Sequence, residues 1–187
     1  MNAPTNPKEL ELQTVEFKLD GQTIVSYEGE TILKAAKRHG IDIPHLCFKD
    51  GYRPDGNCRA CVVEINGERT LAPSCCRSAT PGMEVKANSE RALKSQKLVL
   101  EMLLSDMPDE GFKWVGDSKE EEQKNQHGEL STWAARMDVT VRPELKALRR
   151  EKVSNDISHP AMAVNLDACI QCNRCVRACR EEQVNDV

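Results

Sequence analysis

Aromatic side chains are scarce in this chain: two Trp, two Tyr and three Phe make up 4% of its 187 residues, while 30% are charged. A large, self-sufficient apolar core is therefore not expected, and a small module stapled by metal groups fits the shortage. No apolar run is long enough to span a bilayer; Leu98-Val99-Leu100 and Met102-Leu103-Leu104 are interrupted by Glu101 and far too short. Positive charge is not in excess. The net charge of −4 argues against a nucleic-acid partner, which would want a basic face. The opening MNAPTNPKELELQ has no basic start followed by an apolar stretch, so no secretory signal is read there. Neither common glycine-rich phosphate loop occurs, and no nucleophile–base pair is readable. No internal repeat or low-complexity tract is found. Substrate chemistry is therefore not expected of this chain itself.

What the chain does have is nine cysteines. Without an export signal they point to a reducing compartment, where clustered thiols are metal ligands more often than disulfides. A cytoplasmic location is expected.

The chain reads as four stretches. Residues 1–14 form a polar lead in which Pro4 and Pro7 break any helix. Residues 15–105 make one α+β module. Val15 to Leu19 alternates apolar and polar, Asp20-Gly21 is a hairpin turn, and Thr23 to Tyr27 is the return strand. Thr31 caps a helix from Ile32 to His39, ended by Gly40. A loop rich in Gly, Pro and Asp runs from Pro44 to Asn57. Val62 to Ile65 and Arg69 to Leu71 flank Asn66-Gly67, a second hairpin signal, and Met83 to Lys86 is a last strand. Ser89 opens a helix to about Leu104 with Leu93, Lys97, Leu100 and Leu104 along one stripe. Residues 106–158 lack cysteine and form a partly helical connector. It carries an acidic patch (Asp117, Glu120, Glu121, Glu122), read as a solvated face, a helix from Glu129 to Met137, and another from Pro143, a good first helical residue, to about Val153. Residues 159–187 carry the second group of cysteines.

Cys47, Cys58, Cys61 and Cys75 have the spacing C-x10-C-x2-C-x13-C. A 2Fe–2S cluster needs four thiolates converging on two irons. In Cys58-Arg59-Ala60-Cys61 two intervening residues let both thiolates point inward, and small Ala60 keeps the loop tight. Gly51 and Gly56 leave backbone exposed, so that N–H groups can face cluster sulfurs. Arg53 and Arg59 are candidates to offset the negative charge, and ordinary solvated arginines would look the same. Cys75 and Cys76 are adjacent and only one can be the fourth ligand. We assign Cys75, reading Cys76 as a small buried hydrophobe and His45 as a loop-forming residue.

The first spacing differs from the plant-type C-x4-C-x2-C pattern. It resembles the N-terminal ferredoxin domain of the large iron–sulfur subunit of respiratory complex I. That domain recurs in the small diaphorase subunit of NAD-reducing hydrogenases and in the large subunit of NAD-dependent formate dehydrogenases. The matching stretches are GETILKAAKRHGIDIPHLC (29–47), DGNCRACVVEI (55–65) and SCCRSATPGMEV (74–85). The resemblance implies a β-grasp fold and a fourth ligand at Cys75.

Cys169, Cys172, Cys175 and Cys179 have the spacing C-x2-C-x2-C-x3-C, the bacterial ferredoxin run for a 4Fe–4S cubane. Cys169, Cys172 and Cys175 are expected to hold one cubane, and Cys179 to reach toward a second whose other ligands lie outside this sequence. HPAMAVNLDACIQCNRCVRACREEQVNDV (159–187) looks most like the large subunit of molybdenum- or tungsten-containing, NAD-dependent formate dehydrogenase. In that family the segment opens a two-cubane domain followed by a long pterin-metal catalytic domain, so continuation past Val187 is expected. The implied wider assembly holds a molybdenum or tungsten pterin and FMN, with a flavin/NAD-binding subunit and a metal–pterin domain as partners. Arg180 stands where small ferredoxins carry proline. Complex I relatives place a His-plus-three-Cys cluster between the two runs. Residues 77–168 contain no cysteine, and His127 alone cannot hold one, so that centre is expected to be absent. Two other readings stand beside this one: a relay for an NAD-reducing hydrogenase or complex I-like enzyme, and a zinc-stabilised interaction protein. Zinc usually takes two C-x2-C units in one tetrahedron, and the tandem run fits a cube better.

Overall fold

The computed structural model describes residues 13–108 and 128–184. The polar lead falls almost wholly outside the described residues, as do the acidic patch and His127. The first hairpin is the expected one. β1 (Thr14–Leu19) and β2 (Gln22–Tyr27) pair antiparallel with Phe17 opposite Ile24. Asp20 and Gly21 both take positive φ, 51° and 84°, the turn geometry whose twist matches the flanking strands. The Asp20 carboxylate also accepts the N–H groups of Ala87 at 2.8 Å and Asn88 at 3.2 Å, which ties the turn to the end of the later strand β5 (Glu84–Lys86).

α1 (Ile32–Arg38) begins where Thr31 accepts the N–H of Lys34, and it buries Ile32, Leu33, Ala35 and Ala36. β3 (Val62–Ile65) is as expected, but its partner β4 is Ala72–Pro73 rather than Arg69 to Leu71. The chain turns tightly after Ile65 with Gly67 at φ 82°, and the Arg69 carbonyl accepts from Arg91 at 2.6 Å instead of joining a ladder. Pro73, which has no N–H, keeps the strand short. The sheet order is β2-β1-β5-β3-β4, antiparallel except for the central β1–β5 pair. Residues 15–105 thus form a mixed sheet with helices, the α+β arrangement expected of them.

α2 (Glu90–Ser105) is capped by Ser89 as expected, yet it buries a different face. Ala92, Gln96, Leu100, Glu101 and Ser105 point inward, Lys97 is exposed, and Leu93 and Leu104 are half-buried. Two polar residues on this face are satisfied by distant groups. The Gln96 amide donates to the carbonyls of Val62 at 2.8 Å and Ala87 at 3.3 Å. Glu101 accepts from Arg142 Nε at 2.7 Å and from its backbone N–H at 3.0 Å.

Beyond the gap, α3 (Glu129–Arg136) lies where the sequence places it and packs against α2 through Leu130 and Ala134. α4 (Pro143–Lys146) has proline at its start but ends about two turns sooner than expected. Leu148 is exposed, so no apolar stripe continues the helix, and the next two arginines leave it to make other bonds. Arg149 Nη2 reaches the Asp167 carboxylate at 2.5 Å, and Arg150 Nη2 reaches the carbonyls of Asp167 at 2.7 Å and Cys169 at 3.0 Å. Burial alone would push the Asp167 carboxyl up. The Val153 N–H and the Arg149 guanidinium outweigh it and hold that carboxyl below its ordinary range. A small hairpin, β6 (Asp156–His159) and β7 (Met162–Val164), precedes this anchor, and α5 (Arg174–Arg177) follows it within the second cysteine run.

Two apolar cores result. One lies under the sheet around Phe17, Leu19, Ile32, Leu33, Val63 and Val85. The other joins Leu46, Ala60, Leu100, Met107 and Leu130. Gln96 stands beside the strand end that feeds the cysteine loop. Gln96→Leu should therefore cost about 1–3 kcal/mol in chemical denaturation followed by circular dichroism, because two buried carbonyls lose their donor. Leu98→Ala, on the half-exposed outer face, should stay within about 0.5 kcal/mol. Equal losses in both variants would contradict this account of α2.

Candidate metal centre

The register of one short strand pair begins the site. Val62 lies opposite Pro73, so the residue before β3 and the residues after β4 meet at one end of the sheet. Ser74 closes that end: its N–H and hydroxyl both donate to the Cys61 carbonyl, at 3.0 and 2.7 Å. Cys61 and Cys75 are thereby fixed side by side. The first turn of α1 covers the same loop, with Ile32 N–H donating to the Arg77 carbonyl at 2.8 Å and Leu33 N–H to that of Ser74 at 3.0 Å. These are helix-start donors that have no partner within the helix. The chain leaving α1 then brings Cys47 over, between Leu46 in one core and Phe48 in the other.

The four thiols of this first set face one another. Cys47 interacts with Cys58 and Cys75, and Cys75 with Cys47 and Cys61. Cys47, Cys61 and Cys75 are 1% exposed or less, and Cys58 is half-buried. Backbone N–H groups are aimed at the sulfurs. Those of Asn57 and Cys58 serve Cys47, those of Ala60 and Cys47 serve Cys58, and that of Cys75 serves Cys61. The Cys47 N–H lies 3.5 Å from Cys58 Sγ. Positive φ at Gly51, Gly56 and Arg59 turns this backbone inward, and fully buried Ala60 leaves room for nothing larger.

Without metal the four groups cannot all ionise. Contacts from the Cys58 and Cys75 thiols draw the Cys47 thiol far down, and those same contacts push Cys58 and Cys75 up. The Cys75 thiol, working against burial, pulls Cys61 down to about 7. Such a set wants a cationic core that takes all four as thiolates. Buried sulfurs, converging N–H donors and thiolate chemistry together fit a 2Fe–2S group. Among the described residues no group of three or more His, Cys, Asp or Glu side chains closes around a single metal ion.

Cys76 departs from expectation. It is exposed rather than a buried hydrophobe, with its sulfur 3.6 Å from that of Cys75. Residues 74–76 form a turn in which the Cys76 N–H donates to the Pro73 carbonyl at 3.0 Å, and Cys75 is the residue whose thiol meets Cys47 and Cys61. His45 bends back on its own loop: Nδ1 bonds the Ile43 carbonyl at 2.8 Å, and the ring packs on Phe48 and Trp133.

The second set is placed differently. Cys169 and Cys175 are exposed, and Cys172 and Cys179 are half-buried. Gln171 and Asn173 take positive φ, 54° and 60°, and bend the chain between the first three cysteines. Gln171 N–H donates to Cys169 Sγ at 3.4 Å, and no thiol–thiol contact joins the four among the described residues. This run docks directly on the first set. Asn57 donates to the Gln171 carbonyl at 2.8 Å, Arg53 N–H to Glu181 at 3.2 Å, and Arg174 to the Phe48 carbonyl at 3.2 Å. Arg177 donates to the carbonyls of Arg53, at 2.6 Å, and Cys47. Asn57, Arg174, Arg177 and Glu181 are not singled out by motif or spacing. An arginine inside the x3 gap of the second run is the one cue the sequence offers.

Comparison with known proteins points to a 2Fe–2S domain in the first half of the chain. Residues 13–90 match the family model described as a 2Fe–2S iron–sulfur cluster binding domain. A subunit of the NADP-reducing hydrogenase of Solidesulfovibrio fructosivorans is 38% identical over 181 residues, covering 92% of this chain and 28% of that protein. A subunit of the NADH-quinone oxidoreductase of Rhizobium meliloti is 32% identical, covering 89% of this chain and 19% of that protein. A solved structure of an NAD+-reducing nickel–iron hydrogenase in its H2-reduced state superposes with a TM-score of 0.73 at 31% identity, covering 90% of this chain and 67% of that one. The chain spans 19–28% of the length of the first curated relatives it matches.

Gly56 offers a direct test of the packing. A Cβ there would stand 2.9 Å from Cys76 Sγ at a φ of +63°. Gly56→Ala should hasten loss of visible absorbance in air, and adding Cys76→Ala should restore part of the lifetime. The rest stays lost to left-handed strain of about 1–2 kcal/mol. No effect of Gly56→Ala, or no rescue by the double variant, would contradict the contact.

Proposed function

We propose that this chain, whose residues 13–90 belong to the 2Fe–2S iron–sulfur cluster binding domain family, is an electron-relay module of an NAD-linked oxidoreductase complex. The observation that carries the reading is the burial of Cys47, Cys61 and Cys75 beside Cys58, with backbone donors aimed at their sulfurs. Those four are the proposed ligands of the 2Fe–2S cluster. Cys169, Cys172 and Cys175 are proposed to hold a 4Fe–4S cluster, and Cys179 to serve a second one completed by ligands outside this sequence. That part rests on spacing and resemblance. Residues 15–105 are the cluster domain, 106–158 the connector and 159–187 the start of the cubane segment, with 1–14 a lead.

When bound, the clusters supply one-electron couples. The chain's own part is to hold its sulfurs fixed in either charge state, which keeps reorganisation small. Two apolar cores exclude water from three of the four thiols, and the N–H groups of Asn57, Cys58, Ala60, Cys47 and Cys75 favour their thiolate forms. Substrate oxidation belongs to a metal–pterin centre and NAD reduction to a flavin subunit, on other domains or chains. Among the described residues no helix is long and apolar enough to cross a membrane, and a cytoplasmic site of action is proposed.

Formate is the proposed electron source, on the resemblance of 159–187 to formate dehydrogenase large subunits. Hydrogen is the second reading, supported by the two hydrogenase relatives. In the native complex, Cys172→Ala should cut formate-to-NAD transfer by at least about tenfold and spare NADH-to-dye activity at the flavin. Hydrogen oxidation without formate oxidation would overturn the formate reading and leave the relay intact. In the purified chain, Cys75→Ser should abolish or strongly alter the rhombic signal of the reduced 2Fe–2S cluster, while Cys76→Ser leaves it nearly unchanged. The reverse result would move the fourth ligand to Cys76. A colourless protein with stoichiometric zinc would refute the relay altogether.

A further inference from the structure

Arg177 lies between Cys175 and Cys179, yet its guanidinium is spent on the first cysteine set. It is 7% exposed and reaches 130 residues back along the chain to donate to the Cys47 carbonyl. Its Nη1 donates to the Arg53 carbonyl at 2.6 Å, and the guanidinium lies 5.7 Å from the centre of the Tyr52 ring. Its Nε is buried without a hydrogen-bond partner, and no carboxylate pairs with the cation among the described residues. Glu181, the acidic residue that docks on the same loop, is taken by the Arg53 N–H.

A buried cation without an anion is costly, and proteins keep one only where an anion offsets it. The carbonyl it holds belongs to Cys47, one of the ligands assigned to the first cluster. A 2Fe–2S cluster bound by four thiolates is negative, and it gains one more negative charge on reduction. A fixed cation bonded to a ligand residue's backbone stabilises the reduced state more than the oxidised one, and solvent ions screen it little at a buried seam.

We propose that Arg177 is a positioning residue that clamps the second cysteine run to the Cys47 loop and, through its buried charge, raises the reduction potential of the first cluster. This rests on the ligand assignment given above. The clamp would also make the first cluster sense whether the second run is seated, since Arg177 leaves with that run.

The test is a redox titration of the 2Fe–2S signal by electron paramagnetic resonance, in the full chain loaded with iron and sulfide without air. Arg177→Met should lower the midpoint so that the reduction equilibrium moves about tenfold, about 59 mV for one electron. Arg177→Lys keeps the charge but loses the two-carbonyl fork, and should recover most of that shift. If the Met variant fails to load, Arg177→Gln removes the charge while keeping a donor, and should show the same fall. A midpoint unchanged in Met or Gln, or equally low in Lys, would overturn the charge role. Loss of the signal in all three variants would overturn it too, making Arg177 a folding residue alone. Absence of the signal in the unsubstituted chain would instead defeat the ligand assignment on which the inference stands.

Discussion

Four thiols drawn from three separate loops face one another, and most of the fold answers to that convergence. The β3–β4 pair does the first half of the task. Its register sets Cys61 against Ser74, and Ser74 binds the Cys61 carbonyl twice. Two unrelated needs are met together at the next step. The start of α1 has N–H groups with no partner in the helix, and the loop carrying Cys75 has carbonyls with no strand to join. Each satisfies the other, and the helix so placed delivers Cys47 from its far end.

Convergence of thiols creates a charge problem that the surroundings mitigate from two sides. Backbone N–H groups supply partial positive charge at the sulfurs, made available by residues that accept positive φ at Gly51, Gly56 and Arg59. The full positive charge comes from elsewhere. Arg53 and Arg59, in the loop between Cys47 and Cys61, place their backbone at the site, whereas the buried guanidinium belongs to Arg177 on the second run. A remote cation has an advantage over a local one: it can be buried by docking without having to fold into the tight Cys58–Cys61 loop.

Local chemistry makes a good part of this legible in the sequence. Asp20-Gly21 tolerates the turn's two positive φ values, Thr31 and Ser89 offer side-chain oxygens at helix starts, and Pro143 opens α4. Cysteine spacing identifies the first set because three loops cannot shift far once four thiols must meet. What stays hidden depends on partners far away in the chain. The inward face of α2 differs from the apolar stripe because Gln96 and Glu101 look like surface residues until Val62, Ala87 and Arg142 are brought to them. α4 ends early because Arg149 and Arg150 answer to Asp167 and Asp106, not to the helix. Composition alone would put Cys76 inside, and it lies exposed in the turn that follows β4.

The same contrast explains why the two cysteine runs differ in order. The first set is enclosed by two cores, and its thiols face one another. The second lies at the rim, with Cys169 and Cys175 exposed, and its backbone is fixed by polar contacts to the first set and to Arg150. A relay needs its centres at a fixed separation more than it needs each to be buried. Here the second run is held against the first set by hydrogen bonds from Asn57, Arg174 and Arg177 and by Ile170, which packs on the core around Leu46 and Ala60. Bonds of that kind resist small displacements, because carbonyls buried against guanidinium groups lose donors that nothing nearby replaces.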